Sequence, residues 1–289
     1  MANPSEQPAA ISHQPPAILQ PPTVEHLERT RLWTASLRVL PDFLIIGAQK
    51  AGTTSLYHYL DKHPQIRTAL AKEVHFFDYN YGLGENWYRA HFPTYLEKWR
   101  GAFKTGEASP YYLFYPHAPL RVKQILPHVQ LIVLLRNPIE RAYSHYQHQV
   151  RLGLEELPFE EALEQEPTRL LGEFENIILD DEYYSFNYQN YSYLARGMYA
   201  DQLERWFRLF PREQFLILPS DEFYAYTAGA YARVQEFLHV PKHMPPSFEV
   251  ANDGTYAPMQ PETRAWLAEF FEPHNTRLYE LLNVDFDWK

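Results

Sequence analysis

The chain has 289 residues, a formal net charge of −10, 22 Tyr, 18 Phe and 6 Trp, and no cysteine. That length fits one large or two small domains, and the missing cysteines exclude a disulfide framework and a thiolate metal site and fit a reducing, cytoplasmic setting. The acidic balance argues against a nucleic-acid partner, which needs a basic face, and no run of about 18 apolar residues is present to span a membrane.

Residues 1 to about 22 are rich in Pro, Ala, Ser and Gln and read as a flexible tail with no signal-peptide pattern. Val24 to Val39 reads as a peripheral helix. Pro41 to Leu60 then forms the densest pattern in the chain. Phe43 to Ile46 suits a buried parallel strand, Gly47 and Gly52 bracket a tight loop, and Thr53, Thr54 and Ser55 open a helix. Such a helix start binds anions, because its unpaired N–H groups and its dipole point the same way.

The loop has the glycine spacing of G-x-x-x-x-G-K-[ST]. Thr54 stands at the hydroxyl position, but Thr53 replaces the lysine, and Lys50 lies inside the loop instead. A cation there sits beside a short phosphate or phosphosulfate group and does not reach along a triphosphate. An incidental strand–helix turn is the competing reading.

His63-Pro64 ends that helix, and Ile66 begins a short connection. Ala71 to Tyr79 sets Lys72, Glu73, His75 and Asp78 among apolar residues. In a strand, Glu73 and His75 share one side and suit acid/base work; a surface turn with a salt bridge is the plainer alternative. Asn86 to Trp99 reads as one helix packed through Trp87, Tyr88, Phe92, Tyr95 and Trp99, and Phe103 to Ser109 as a short strand. Tyr111, Tyr112, Phe114 and Tyr115 read as core, and Ala118 to Leu126 as a short helix.

Leu131 to Leu135 is a second buried strand, ended by Arg136-Asn137-Pro138, and Ile139 to Leu152 is the helix after it. Arg136 and Ser144 at one sheet edge make a second anion site in which a cation grips the anion and no metal is required. Further helices are expected over Pro158 to Gln165, Gly197 to Leu209 and Ala228 to Leu238, with a strand at Phe215 to Leu218. Asp180 to Tyr193 reads as a tyrosine-rich loop entering a helix, and Phe248 to Met259 as a polar loop. Pro261 to Leu282 reads as a helical stretch broken near Pro273, and Val284 to Trp288 closes the chain. Alternating strands and helices predict an α/β fold with a mostly parallel sheet and a ligand site beyond the strands' C-terminal ends.

Taken together, FLIIGAQKAGTTSL at 43–56, KEVHFFD at 72–78, LLRNPIERAYSHY at 134–146 and YADQLERWFRLFP at 199–211 resemble the PAPS-dependent sulfotransferases. The similarity is to the heparan sulfate sulfotransferase-like branch and its bacterial relatives, in family order from about residue 40 to the C-terminal helix. The resemblance implies a P-loop-type three-layer fold, its central sheet flanked by helices. It implies a single sulfotransferase domain over 41–289, preceded by the tail and peripheral helix of 1–40. It implies that Lys50, Ala51, Gly52, Thr53, Thr54 and Ser55 cradle the 5′-phosphosulfate of PAPS, and that Arg136 and Ser144 hold the 3′-phosphate. Glu73 matches the general base and His75 is the alternative; Lys50 stabilises the bridging oxygen.

Two departures stand out. The family's lysine after the glutamate of TGEASP is Ala108 here, with Lys104 just ahead of the segment, and Asn252 to Tyr256 replaces a basic loop over the nucleotide. The replaced loop and the absence of paired cysteines point toward a soluble enzyme of bacterial type, while Ala108 leaves one acceptor-side contact open. The implied acceptor is a hydroxyl of a saccharide, glycolipid or small metabolite; a P-loop kinase or NTPase and a silent PAP-binding protein are the alternatives.

Overall fold

A computed structural model describes residues 29–249 and 256–288. Five strands form one sheet: β1 (Phe43–Gly47), β2 (Ile66–Thr68), β3 (Lys104–Ala108), β4 (Gln130–Leu135) and β5 (Phe215–Pro219). Their order is β2-β3-β1-β4-β5, and every pairing is parallel. β1 is central because Phe43, Leu44, Ile45 and Ile46 have no exposed surface; Leu131 to Leu135 of β4 are equally enclosed. Strands apolar on both faces need helices on both sides, and the sheet is flanked by them.

β1 leads through the loop into the helix Thr53–Asp61, and β4 leads into the helix Pro138–Arg151. The latter starts as its sequence dictates: Asn137 caps it by accepting a 3.0 Å bond from the Ile139 N–H, and Pro138 fills the first turn. Its outer face packs through Ile139, Ala142 and Tyr143 on Phe159 and Leu163 and on Leu267 and Phe271 of the C-terminal helix. β3 and β4 flank β1, so the C-terminal ends of three parallel strands meet at one crevice.

Several expectations change. Ile66 opens strand β2 rather than a connection; only three residues pair, too few for a readable pattern. The expected helix Asn86 to Trp99 is two, Gly84–Arg89 and Tyr95–Gly101. Pro93 interrupts it, and Thr94 starts the second helix with a reciprocal capping box to Glu97. Tyr88 and Phe92 are buried as expected, but Tyr95 and Trp99 are exposed. The helix at Pro158 runs on as Phe159–Leu170, a further helix spans Glu173–Leu179, and Phe186–Asn190 is helical inside the tyrosine-rich segment.

Pro261–Leu282 is one helix with no break at Pro273. Leu267, Phe271, Asn275 and Leu278 are buried along one side, and that packing carries it past the single hydrogen bond proline removes. Of the expected peripheral helix, Arg29–Trp33 and a turn at Ala35–Leu37 are present; its start, the tail, and most of the Asn252 to Tyr256 loop lie outside the described residues.

Gly106 of β3 sits against Phe43 of β1, where an added Cβ would come within 2.5 Å of the ring. Gly106→Ala therefore overpacks the sheet centre and is expected to cost about 1–3 kcal/mol in urea unfolding. Phe43→Leu in the same chain should recover part of that loss. An unchanged unfolding midpoint in Gly106→Ala would show that the sheet relaxes around the methyl group.

Candidate active site

The pocket beyond β1, β3 and β4 is lined by Gln49, Lys50, Gly52, Thr53 and Thr54 of the loop and helix start, by Glu73 and Pro110, by Arg136, Ser144 and His148, and by Tyr224. The loop is held from three sides. The Ala48 N–H donates to the Leu134 carbonyl at 2.7 Å, Ser220 Oγ donates to the Ala51 carbonyl at 3.0 Å, and Arg136 Nη1 donates to the Lys50 carbonyl at 3.1 Å. Gly52 takes φ +102°, where a side chain is strained, and a Cβ there would lie 2.9 Å from Tyr224 Oη. No side chain caps the nine-residue helix that follows.

Of the residues expected to hold the donor, Lys50, Gly52, Thr53, Thr54, Arg136 and Ser144 line this pocket together. Ala51 and Ser55 are fully buried behind the lining. Lys50 has its ammonium lowered to about 8 by burial first, then by Arg151 and Arg136. His148 is lowered to about 4 by burial, then by Lys50 and Arg151. In a chain of net charge −10, Lys50 and Arg136 nevertheless put positive charge in this cleft. Uncapped helix N–H groups, Lys50, Arg136 and the Ser144 hydroxyl form a donor set that fits a phosphorylated anion.

Ala71 to Tyr79 is not a strand. Glu73 and His75 both take positive φ, 62° and 53°. The segment is strapped onto the end of β3. The Glu73 N–H donates to the Ala108 carbonyl at 3.0 Å, the His75 N–H to Ser109 Oγ at 3.1 Å and the Phe76 N–H to Tyr112 Oη at 2.8 Å. Ser109 and Tyr112 in turn donate to Glu107, which has no exposed surface and also accepts from Tyr88. Burial pushes the Glu107 carboxyl up, and those three hydroxyls oppose the shift.

The proximity of Glu73 and His75 survives by this other route. His75 Nε2 lies 3.3 Å from Glu73 Oε2, and His75 Nδ1 lies 2.6 Å from Asp78 Oδ2. Asp78 is buried, while the Glu73 side chain is 42% exposed and lines the pocket. Lys72 pairs with the other Glu73 oxygen. Desolvation pushes the Glu73 carboxyl up, but His75 and Lys72 outweigh it and hold it well below the usual carboxylate range. Burial likewise opposes charge on His75, and Asp78 and then Glu73 override it, raising the imidazole to about 10. The imidazolium donates on both sides and has no free lone pair.

Ala108 is buried and offers nothing to an acceptor, and Lys104 lies at the opposite end of β3, beside Pro41 and His128. Tyr111, Tyr112, Phe114 and Tyr115 are core. Gln49, His148 and Tyr224 enter the lining without having been expected. His148 was legible, since it follows Ser144 by four residues on one helix face. Tyr224 reaches Gly52 from a distant helix, Ser220–Ala225, with no local sign of it.

Fold and pocket together define an α/β protein whose glycine loop and Glu73 carboxylate line one pocket beyond the strand ends. Sequence comparison makes the assignment specific: the sulfotransferase domain family matches residues 40–256. Human heparan sulfate glucosamine 3-O-sulfotransferase 3B1 is 29% identical, covering 86% of this chain and 65% of that protein. Mouse heparan sulfate glucosamine 3-O-sulfotransferase 6 is 32% identical, covering 97% of this chain and 84% of that protein. The crystal structure of a sulfotransferase from Alicyclobacillus acidocaldarius superposes with a TM-score of 0.67 at 32% identity, covering 86% of this chain and 98% of that one. The chain belongs to the sulfotransferase family and is an enzyme that transfers sulfuryl groups, which sets the kinase reading aside. Among the described residues no helix is long and apolar enough to cross a membrane.

A pH dependence follows from His75. Its folded value, about 10, lies above the ordinary 6.5. The stability from its charge is therefore complete below about pH 6.5 and is lost as pH rises through about 10. Asp78→Asn should lower the His75 titration midpoint seen by NMR and flatten the fall in stability between those limits. Parallel stability curves for the two proteins would remove His75 as the source.

Proposed function

We propose that the sulfuryl donor is PAPS, that the acceptor is a hydroxyl of a saccharide, glycolipid or small molecule, and that Glu73 is the general base. The observation that carries this is the pocket-lining Glu73 carboxylate, paired with His75 and Lys72 and sharing its pocket with Lys50. Lys50, Gly52, Thr53 and Thr54 would hold the 5′-phosphosulfate, with Ala51 and Ser55 completing the loop behind them, and Arg136 and Ser144 would hold the 3′-phosphate. PAPS brings a sulfuryl group on a phosphate leaving group, so the protein needs to position, neutralise and deprotonate.

In the proposed transfer, Glu73 takes the acceptor hydroxyl's proton as the acceptor oxygen bonds to sulfur. Lys50 offsets the negative charge on the phosphate oxygen as its bond to sulfur breaks. At about 8, the Lys50 ammonium remains mostly charged at neutral pH. His75, with both ring nitrogens engaged, acts as a positioning residue rather than as the base. The acceptor would enter past Tyr79, whose ring stacks on His75 at 4.5 Å, and Tyr184, edge-on to Tyr79 at 5.8 Å. Aromatic faces suit a sugar ring, in keeping with relatives named for heparan sulfate glucosamine. We further propose that residues 41–289 act as one sulfotransferase domain.

Two measurements test this reading. In a thermal-shift titration without magnesium, PAP should raise the melting temperature, ADP should not, and Arg136→Ala should lose the response. A shift requiring ATP and magnesium would overturn the donor. Glu73→Gln should lower turnover by about 10²–10⁴-fold while leaving PAP affinity near wild type. Near-wild-type turnover would reject Glu73 as the base.

A further inference from the structure

Gln49 stands beside Lys50 in the loop and lines the pocket with Glu73. Its Oε1 accepts a 2.7 Å hydrogen bond from Nη1 of Arg196. Arg196 is only 4% exposed. It sits in the turn Ala195–Gly197, donates through Nη2 to the Gln189 carbonyl, and lies over the Tyr111 ring at 4.6 Å. Its own carbonyl accepts a 3.0 Å bond from Gln202 Nε2, so the turn itself is fixed.

A guanidinium has five N–H donors and no acceptor. Arg196 therefore tolerates one orientation of the Gln49 amide, with oxygen toward itself and nitrogen toward the pocket. The reverse orientation would set N–H against N–H at a buried cation. Nε2 of Gln49 makes no hydrogen bond to protein among the described residues. The pocket lining thus includes an amide whose oxygen is held by Arg196 and whose two N–H donors are unused, in the same lining as Lys50 and Glu73.

We propose that Gln49 is a further catalytic residue, its Nε2 donating to an oxygen of the sulfuryl group, and that Arg196 is the positioning residue that aims it. This rests on the reading of the pocket as the PAPS site. The chemistry explains the residue type. Sulfuryl oxygens carry negative charge and must approach the Glu73 carboxylate as transfer proceeds. Lys50 serves the leaving oxygen at the other end. A neutral donor beside Glu73 stabilises those oxygens without pairing with the base and quenching it, as a second cation would. Gln49 itself neither gains nor loses a proton.

The test is calorimetric titration of PAPS and of PAP, which lacks the sulfuryl group, into wild type, Gln49→Leu, Gln49→Glu and Arg196→Met. Gln49→Leu should weaken PAPS by about tenfold and leave PAP within about twofold. Gln49→Glu places a carboxylate against Arg196, so it should melt no lower than wild type yet lose more affinity for PAPS than for PAP. Arg196→Met should reproduce the PAPS-selective loss and add nothing to Gln49→Leu in the double variant. Equal losses for both ligands, or no loss for either, in Gln49→Leu would overturn the proposal. If Arg196→Met does not fold, the two Gln49 variants decide. A wild type that binds PAPS but not PAP also overturns the role given to Gln49, because the sulfuryl contacts would then not be separable from the nucleotide's. A wild type that binds neither overturns the donor assignment itself.

Discussion

The site depends on one buried ion pair. Asp78 Oδ2 pairs with His75 while its Oδ1 accepts a 2.7 Å bond from the Tyr79 N–H, and His75 stays charged while buried because Asp78 first and then Glu73 oppose its desolvation. A carboxylate that would otherwise protonate on desolvation is thereby kept ionised at the pocket surface. The arrangement requires two consecutive alternate residues in left-handed backbone, at Glu73 and His75, neither of which is glycine. Such geometry survives only where its surroundings over-determine it. Here the surroundings are the end of β3: the Ala108 carbonyl, Ser109, Tyr112 and, beneath them, the wholly buried Glu107. A wholly buried carboxylate with three hydroxyl partners, Glu107, thus supports the segment that carries Glu73, and the two are pushed in opposite directions by their environments.

The second constraint is charge. Lys50 is depressed by burial first and then by Arg151 and Arg136, and His148 by burial first and then by Lys50 and Arg151. That mutual repulsion destabilises the ligand-free pocket and is relieved when an anion enters.

What the sequence reveals follows the range of the interactions involved. The glycine loop, its helix and β4 with its Asn-Pro cap are set by neighbours within about ten residues, so local patterns suffice to find them and to bring Lys50, Thr53, Thr54, Arg136 and Ser144 together. Glu73 and His75 are brought near each other as expected, but strand alternation is not the cause; tertiary hydrogen bonds to β3 are, and nothing local signals them. The Thr94–Glu97 capping box was written in the chain and divides a helix that aromatic periodicity had joined. Pro273 misleads in the other direction, since proline marks the cost of a helix but not the packing that offsets it. Tyr224 and Arg196 were illegible for a simpler reason: the first reaches Gly52, and the second Gln49, across more than a hundred residues of chain.

Long-range contacts also fix the loop that carries Lys50. Lys50 takes φ 69°. In that backbone its carbonyl turns to Arg136, which donates to it at 3.1 Å, while Gln49 before it turns to Arg196. Each of two arginines from outside the loop therefore fixes one residue of it. Arg136 does so from the end of β4, where it also lines the pocket; Arg196 does so from a buried turn packed on Tyr111 and Phe114. A nucleotide loop whose lysine follows the second glycine extends that lysine along the phosphate chain. In this loop the lysine instead precedes the second glycine, with its backbone carbonyl held by Arg136.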